Sequence, residues 1–156
     1  MFEEVLIDIK EHLAGDSPLI DFYGGVGSIG ISLSEGRELK IVEIDEHSAN
    51  MAKENIAGLK LKNAKAKNIP SEDALDEINS DSVLIVDPPR AGLHKKVVQK
   101  ICEVKPKQLV YLSCNPVTQA RDLKEIIESG YKIKFAKGYN FFPRTPHIES
   151  LVILEC

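Results

Sequence analysis

Apolar residues along the chain alternate between two spacings, and that alternation outlines an architecture. Val5, Leu6, Ile9 and Leu13 recur at helical intervals and Gly15 follows as a stop, which predicts a first helix over residues 2–13. A strand follows over about residues 18–23, and a glycine-rich turn leads into a helix from about Ser28. Residues 39–44 read as a second strand, 46–59 as the next helix, and 64–69 as a weaker third strand. The runs at 83–87 and 108–113 are continuous apolar stretches, the pattern of parallel strands buried on both faces. Each precedes a helical pattern, over about 93–104 and 117–129. Residues 132–136 and 150–154, separated by a loop containing prolines, predict a closing antiparallel pair. The alternation of strand and helix therefore predicts an α/β fold built on a mostly parallel seven-stranded sheet with an antiparallel last strand.

A length of 156 residues suits one domain with a full core and is too short for two ordinary ones, so residues 1–156 are expected to form a single domain. No apolar run approaches the roughly 20 residues that span a bilayer. The Met1-Phe2-Glu3-Glu4 start lacks a basic leader and an apolar signal core. A cytoplasmic protein without membrane contact is the expectation. Cys102, Cys114 and Cys156 are widely separated and odd in number, fitting neither a disulfide framework nor a zinc spacing. No metal is expected, and Cys102 and Cys156 read as inert. A formal charge of −4 argues against a nonspecific basic nucleic-acid binder. Lys60, Lys62, Lys65 and Lys67, and likewise Lys132, Lys134, Lys137 and Arg144, form local basic clusters that read as solvated faces.

Chemistry concentrates at the ends of the predicted strands, where α/β proteins place ligands. Asp21-Phe22-Tyr23-Gly24-Gly25-Val26-Gly27-Ser28 joins the first strand to its helix, and glycines there let a ligand approach the backbone. Glu43, about twenty positions on at the end of the second strand, is placed to accept hydrogen bonds from ribose hydroxyls. The two together suggest a cofactor containing a nucleoside. No Gly-Lys-Ser/Thr follows, so this is not a phosphate-binding Walker loop, and the spacing departs from the dinucleotide fingerprint. Asp87-Pro88-Pro89-Arg90 sets a carboxylate after a buried-looking strand and stiffens the backbone behind it. Amino-group methyltransferases carry an aromatic residue where Arg90 stands, and cytosine-C5 enzymes place their nucleophile after a proline in this turn; neither pattern fits. Cys114, in Ser113-Cys114-Asn115-Pro116 at the end of the adjacent strand, sits where a thiol can be held rigidly and still reach a substrate.

The segments DFYGGVG, VEID, DPPRAG, YLSCNPVTQARDL and FFPRTPHIESLV, in that order and spacing, resemble the catalytic domain of the S-adenosylmethionine-dependent RNA uracil-C5 methyltransferases. The likeness extends over nearly the whole chain, and SCNP-x-T-x-ARDL and FP-x-T-x-H-x-E are its specific parts. It implies a Rossmann-like methyltransferase fold, S-adenosyl-L-methionine as cofactor and an RNA substrate, transfer or ribosomal. It also implies a cysteine nucleophile at Cys114 and a carboxylate base at Glu149. Tyr23, Gly25, Gly27, Ser28, Glu43 and Asp87 are implied in the cofactor pocket, and Asp87, Arg90 and His147 on the substrate side.

Two departures from the family stand out. Cysteine is usual where Gly24 stands, a change expected to be tolerated, and the residue that commonly faces the cofactor's adenine is replaced within Asn68-Ile69-Pro70-Ser71. Family members also carry upstream a segment with phenylalanine and glutamine that completes the cofactor pocket, commonly preceded by an RNA-binding β-barrel. This chain is expected to be the methyltransferase domain without either.

The implied chemistry explains the residue types. Uracil C5 becomes a nucleophile once a thiolate adds at C6, so covalent addition opens the route to methylation. The N-terminus of the helix beginning near Pro116 favours that thiolate. The C5 proton must then leave, which calls for a base on the opposite side of the pocket, and Glu149 is the candidate. Arg121 is expected to pair with a nearby carboxylate. Two rivals stay open: a methyltransferase acting on another substrate, and a noncatalytic RNA- or cofactor-binding fragment.

Overall fold

The computed structural model describes residues 2–141, 144–145 and 148–156. Seven strands form its centre: β1 (Leu19–Phe22), β2 (Leu39–Glu43), β3 (Ala64–Asn68), β4 (Val83–Val86), β5 (Gln108–Ser113), β6 (Lys132–Tyr139) and β7 (Glu149–Glu155). They lie side by side in the order β3-β2-β1-β4-β5-β7-β6. The first five are parallel, and β7 runs antiparallel to both β5 and β6. The α/β architecture with an antiparallel last strand is thus the one the patterning predicts.

Alternation along the strands divides the core in two. On one face Leu19, Leu39, Ile41, Val83, Ile85 and Val110 pack under α1 (Phe2–His12), α2 (Ser28–Ser34) and α3 (Glu46–Gly58). On the other, Ile20, Val42, Leu84, Val86, Leu109 and Tyr111 pack under α4 (Lys95–Val104) and α5 (Pro116–Glu128). β1 and β4, adjacent at the centre, mark the point where successive connections switch direction, and the crevice above such a point is the usual ligand site of open α/β sheets.

Local chemistry sets the helix starts around that crevice. Asn115 caps α5, its Oδ1 accepting from the Val117 N–H at 3.2 Å, and Pro116 occupies the first turn, where a missing N–H costs nothing. His94 caps α4, its Nδ1 accepting from the Lys96 N–H at 3.3 Å, which starts this helix two residues later than the periodicity predicts. α1 and α3 carry acids in their first turns, Glu3, Glu4 and Glu46, but α4 opens on Lys95 and Lys96. Cations there oppose the helix dipole, at a cost of about 0.3–1 kcal/mol each.

Other differences from the predicted elements are local. β6 runs on to Tyr139, because it pairs with β7 along its whole length around a bulge between Ile133 and Phe135. Two short 3-10 turns, Ser71–Asp73 and Leu75–Glu77, interrupt the connection from β3 to β4 and bury Ala74 and Ile78. The basic clusters are neutralised in part: Lys67 pairs with Glu77, Lys134 with Glu155, and Lys137 with Glu4 and Asp8.

Candidate active site

The glycine turn is pinned by the acid predicted to face it. Glu43 accepts from the Gly25 N–H through Oε2 and from the Asp45 N–H through Oε1, both at 2.8 Å. Each oxygen keeps a further lone pair free toward the crevice. Asn68 braces the same strand end, its Nδ2 donating to the Glu43 and Ile44 carbonyls at 3.0 and 2.8 Å. Gly27, at φ 86°, occupies the left-handed region that ends the turn and begins α2, with Ser28 exposed as the first residue of that helix. Tyr23 also sits at positive φ, 60°, and its hydroxyl accepts from the His94 N–H at 3.3 Å, joining the turn to the start of α4.

Beneath this turn the core approaches closely. A Cβ on Gly24 would lie 2.6 Å from Ile41 Cγ2 and 3.1 Å from Asp21 Cγ. Ile41 has therefore taken the space that a larger residue at position 24 needs, so the tolerance expected for this departure depends on Ile41. Gly24→Ala is expected to cost about 1–3 kcal/mol through overpacking, and to cost less in an Ile41→Ala background than in the wild type. Urea midpoints of both single variants, the double variant and the wild type check this; an unchanged midpoint for Gly24→Ala contradicts it.

Asp21 is 1% exposed, and its Oδ2 accepts from the Gly30 N–H at 2.9 Å. Its Oδ1 is buried without a hydrogen-bond partner among the described residues. Burial pushes this carboxyl up to about 7 against the pull of the Gly30 N–H, and the charges of Asp87 and Glu43 push the same way.

Cys114, Asp87 and Glu149 come together through sheet register. Cys114 follows the last residue of β5 and is partly buried. β5 and β7 pair as far as Ser113 with Ser150, and Cys114 and Glu149 are the next residues of the two strands beyond that last pair. Asp87 follows β4 on the other flank of β5. Three consecutive strand ends thus carry a carboxyl, a thiol and a carboxyl. Glu149, expected as the base, stands at the start of β7, the strand next to the thiol's, because β7 inserts between β5 and β6. Burial raises the Glu149 carboxyl, and burial together with the Glu149 charge pushes Asp87 up to about 7.

The loop after Asp87 is fastened to α5 from behind. The Arg90 carbonyl accepts from Asn115 Nδ2 at 2.9 Å and Thr118 Oγ1 at 3.1 Å. The Ala91 carbonyl accepts from Arg121 Nη2 at 2.9 Å. Buried Asp122 accepts from the Leu93 N–H at 2.8 Å and the Tyr111 hydroxyl at 2.7 Å, and it pairs with Arg121 as expected of that arginine. Arg90 itself is exposed. His147 lies outside the described residues. Cys102, half-buried with its thiol raised by burial, sits away from these strand ends in α4.

A cavity of about 920 Å³ opens beside this cluster, walled by Tyr23, Glu43, Ile44, Asp87, Pro89 and His94 among others. Cys114 and Glu149 stand outside its wall, beyond Asp87, and Gly25, Gly27, Ser28 and Arg90 do not line it. Ile44, Glu72, His94 and Lys95 line it without having been singled out in the sequence. Ile44 carried a signal: an apolar side chain between Glu43 and Asp45, here 65% exposed, belongs in a turn only if something apolar covers it.

A sheet of this order, with a glycine turn after β1, an acid ending β2 and an antiparallel β7, defines the class of Rossmann-like methyltransferases. Within that class the chain belongs to the family described as tRNA (Uracil-5-)-methyltransferase, whose profile matches residues 1–156. An uncharacterized RNA methyltransferase of Listeria innocua is 37% identical over 154 residues, which cover 95% of this chain and 34% of that protein. A second, from Lactobacillus johnsonii, is 34% identical over 152 residues, 94% of this chain and 34% of the relative. The chain therefore spans about a third of the length of these relatives. Among solved structures, the tRNA (uracil-54, C5)-methyltransferase of Pyrococcus abyssi in complex with S-adenosyl-L-homocysteine superposes with a TM-score of 0.84 at 34% identity, covering 97% of this chain and 37% of that one. A precorrin-6y C5,15-methyltransferase from Geobacter metallireducens, at 12% identity and a TM-score of 0.76 over 98% of this chain and 86% of that one, shares the fold alone.

Proposed function

We propose that this chain is the methyl-transfer domain of an RNA methyltransferase that modifies C5 of uridine, in tRNA or rRNA, through a covalent cysteine adduct. The observation that carries the reading is the placement of Asp87, Cys114 and Glu149 on three consecutive strand ends. S-adenosylmethionine suits the crevice: Glu43 can accept from a ribose diol, and a Cβ on Gly25 would meet nothing within 4 Å, leaving open space over the turn. When bound, it supplies an electrophilic methyl group on its sulfonium.

The chain's own groups do the rest. Cys114 Sγ adds to C6 of uracil, and the electron pair of the C5–C6 bond moves to C5 and the C4 carbonyl, making C5 nucleophilic. After C5 has taken the methyl, Glu149 removes its proton, the C5–C6 double bond reforms and the thiolate leaves. Asp87, poised near neutrality by burial and by Glu149, can accept from the uracil N3–H or donate to a carbonyl according to its proton. Tyr23, Gly27 and Ser28 shape the cofactor side of the crevice, and Arg90 and His147 belong to the substrate side.

The test uses RNA bearing 5-fluorouridine, whose C5 substituent cannot leave as a proton. With S-adenosylmethionine present, the chain is expected to accumulate a denaturation-resistant RNA adduct that mass spectrometry maps to Cys114. An adduct on another residue, or none at saturating RNA and cofactor, overturns the reading.

A further inference from the structure

We propose that Arg90, Lys95 and Lys96, with the neutral His94 imidazole between them as a further N–H donor, form a cationic rim that grips RNA phosphodiester groups at the mouth of the cavity. The inference rests on the RNA reading above and adds the surface that holds the backbone.

Placement is the first argument. The four residues fall within seven positions of chain, all are exposed, and His94 and Lys95 line the cavity while Arg90 follows Pro89 of its wall. The backbone beneath is rigid, since the Arg90 carbonyl accepts two side-chain hydrogen bonds from Asn115 and Thr118. A cation carried on such a base is already oriented when a ligand arrives.

Electrostatics is the second. Among the described residues, Arg90, Lys95 and Lys96 have no carboxylate partner, whereas Lys40, Lys67, Lys134 and Lys137 are each paired; Lys62 and Lys65 are also unpaired, so what sets the rim apart is its place at the cavity. Lys95 and Lys96 moreover occupy the helix end where α1 and α3 place acids. A helix selected only to fold gains nothing from lysines at that end. An external anion would offset the cost.

The cavity's charge then selects the geometry. Its wall carries Glu43, Glu72, Asp87, Asp122 and Glu125 against Lys95 and Arg121, a balance that disfavours phosphate inside. The strand is therefore expected to leave its phosphates on the rim while the flipped base turns past Asp87 toward Cys114, outside the cofactor's part of the cavity.

The experiment measures anisotropy of a short fluorescent RNA hairpin with uridines in its loop, over a series of chloride concentrations. The wild-type chain is compared with K95Q/K96Q and with K62Q/K65Q, a charge-matched control near the opposite ends of the strands. K95Q/K96Q is expected to bind about tenfold more weakly at low salt and to lower the log–log salt slope by about 1 for each lysine lost. Its thermal midpoint should equal or exceed that of the wild type, an outcome that a purely structural role for these lysines would not give. K62Q/K65Q should retain the wild-type slope. Equal affinity and slope in K95Q/K96Q and wild type overturn the rim, as does an equal loss in the control. Displacement of RNA by inorganic phosphate beyond that by chloride at equal ionic strength assigns the rim to a free anion and also overturns it. A wild-type chain that binds no RNA at any salt overturns the RNA reading itself, a failure distinguishable from the others.

Discussion

Glu149→Gln is expected to arrest the reaction after methyl transfer and to leave ordinary uridine RNA attached to Cys114. The amide is nearly isosteric with the carboxylate but cannot accept the C5 proton, so thiol addition and methylation proceed while elimination does not. A positioned general base typically contributes about 10²–10⁴-fold, and turnover should fall by that order. The register of β7 against β5 places Glu149 and Cys114 one residue beyond the last pair of the two strands, and burial makes Glu149 a stronger base than a solvated glutamate. Wild-type turnover should therefore rise with pH as Glu149 loses its proton. Removing the Glu149 charge should also let Asp87 titrate lower than about 7, because that charge is one cause of its raised value. A single-turnover assay on denaturing gels reads the adduct directly. Release at the wild-type rate with no accumulated species would falsify the assignment.

Asp21→Asn is expected to remove a pH-dependent part of the fold's stability. A carboxyl raised from 3.8 to about 7 by folding binds its proton more tightly in the native state. Its contribution is neutral below about pH 4, declines as pH climbs toward 7, and stays unfavourable above. A rise of that size corresponds to about 4 kcal/mol at pH 8. Asparagine cannot ionise, but it sets an amide N–H₂ or C=O where Oδ1 now has no partner, at a cost of about 1–3 kcal/mol. The variant should be less stable than wild type at pH 4–5 and more stable at pH 8, the two curves crossing between. Asp87 adds a slope of the same sign, which both proteins share. Urea denaturation across this range decides the matter, and parallel curves would remove Asp21 as the source.

The parts of the fold that the sequence disclosed are those written in local periodicity. VLIV and QLVYLS are buried at every position of β4 and β5, so their unbroken apolar runs announced central parallel strands. DFYGGVG and Glu43 were legible because glycine and acid stand at positions that backbone geometry demands, and the structure joins them directly through the Gly25 N–H. What local pattern could not disclose is long-range register. That Glu149 begins the strand adjoining the one Cys114 follows depends on β7 inserting between β5 and β6, and no spacing of residues encodes that insertion. That Asp21 Oδ1 has no partner among the described residues was hidden for a similar reason, since it depends on Gly24 and Gly30 closing over one carboxyl. The 3-10 turns at Ser71–Asp73 and Leu75–Glu77 are too short to leave a periodic trace.

The fastening of the Asp87 loop to α5 limits how this domain can be re-engineered. Arg90, Ala91 and Leu93 present their backbone groups to Asn115, Thr118, Arg121 and Asp122, side chains that follow the thiol by one to eight positions. A chimera that imports the proline loop from a relative with a different backbone path would strand those polar groups and let Cys114 drift. Loop and helix start are therefore one cassette, to be exchanged together or left alone.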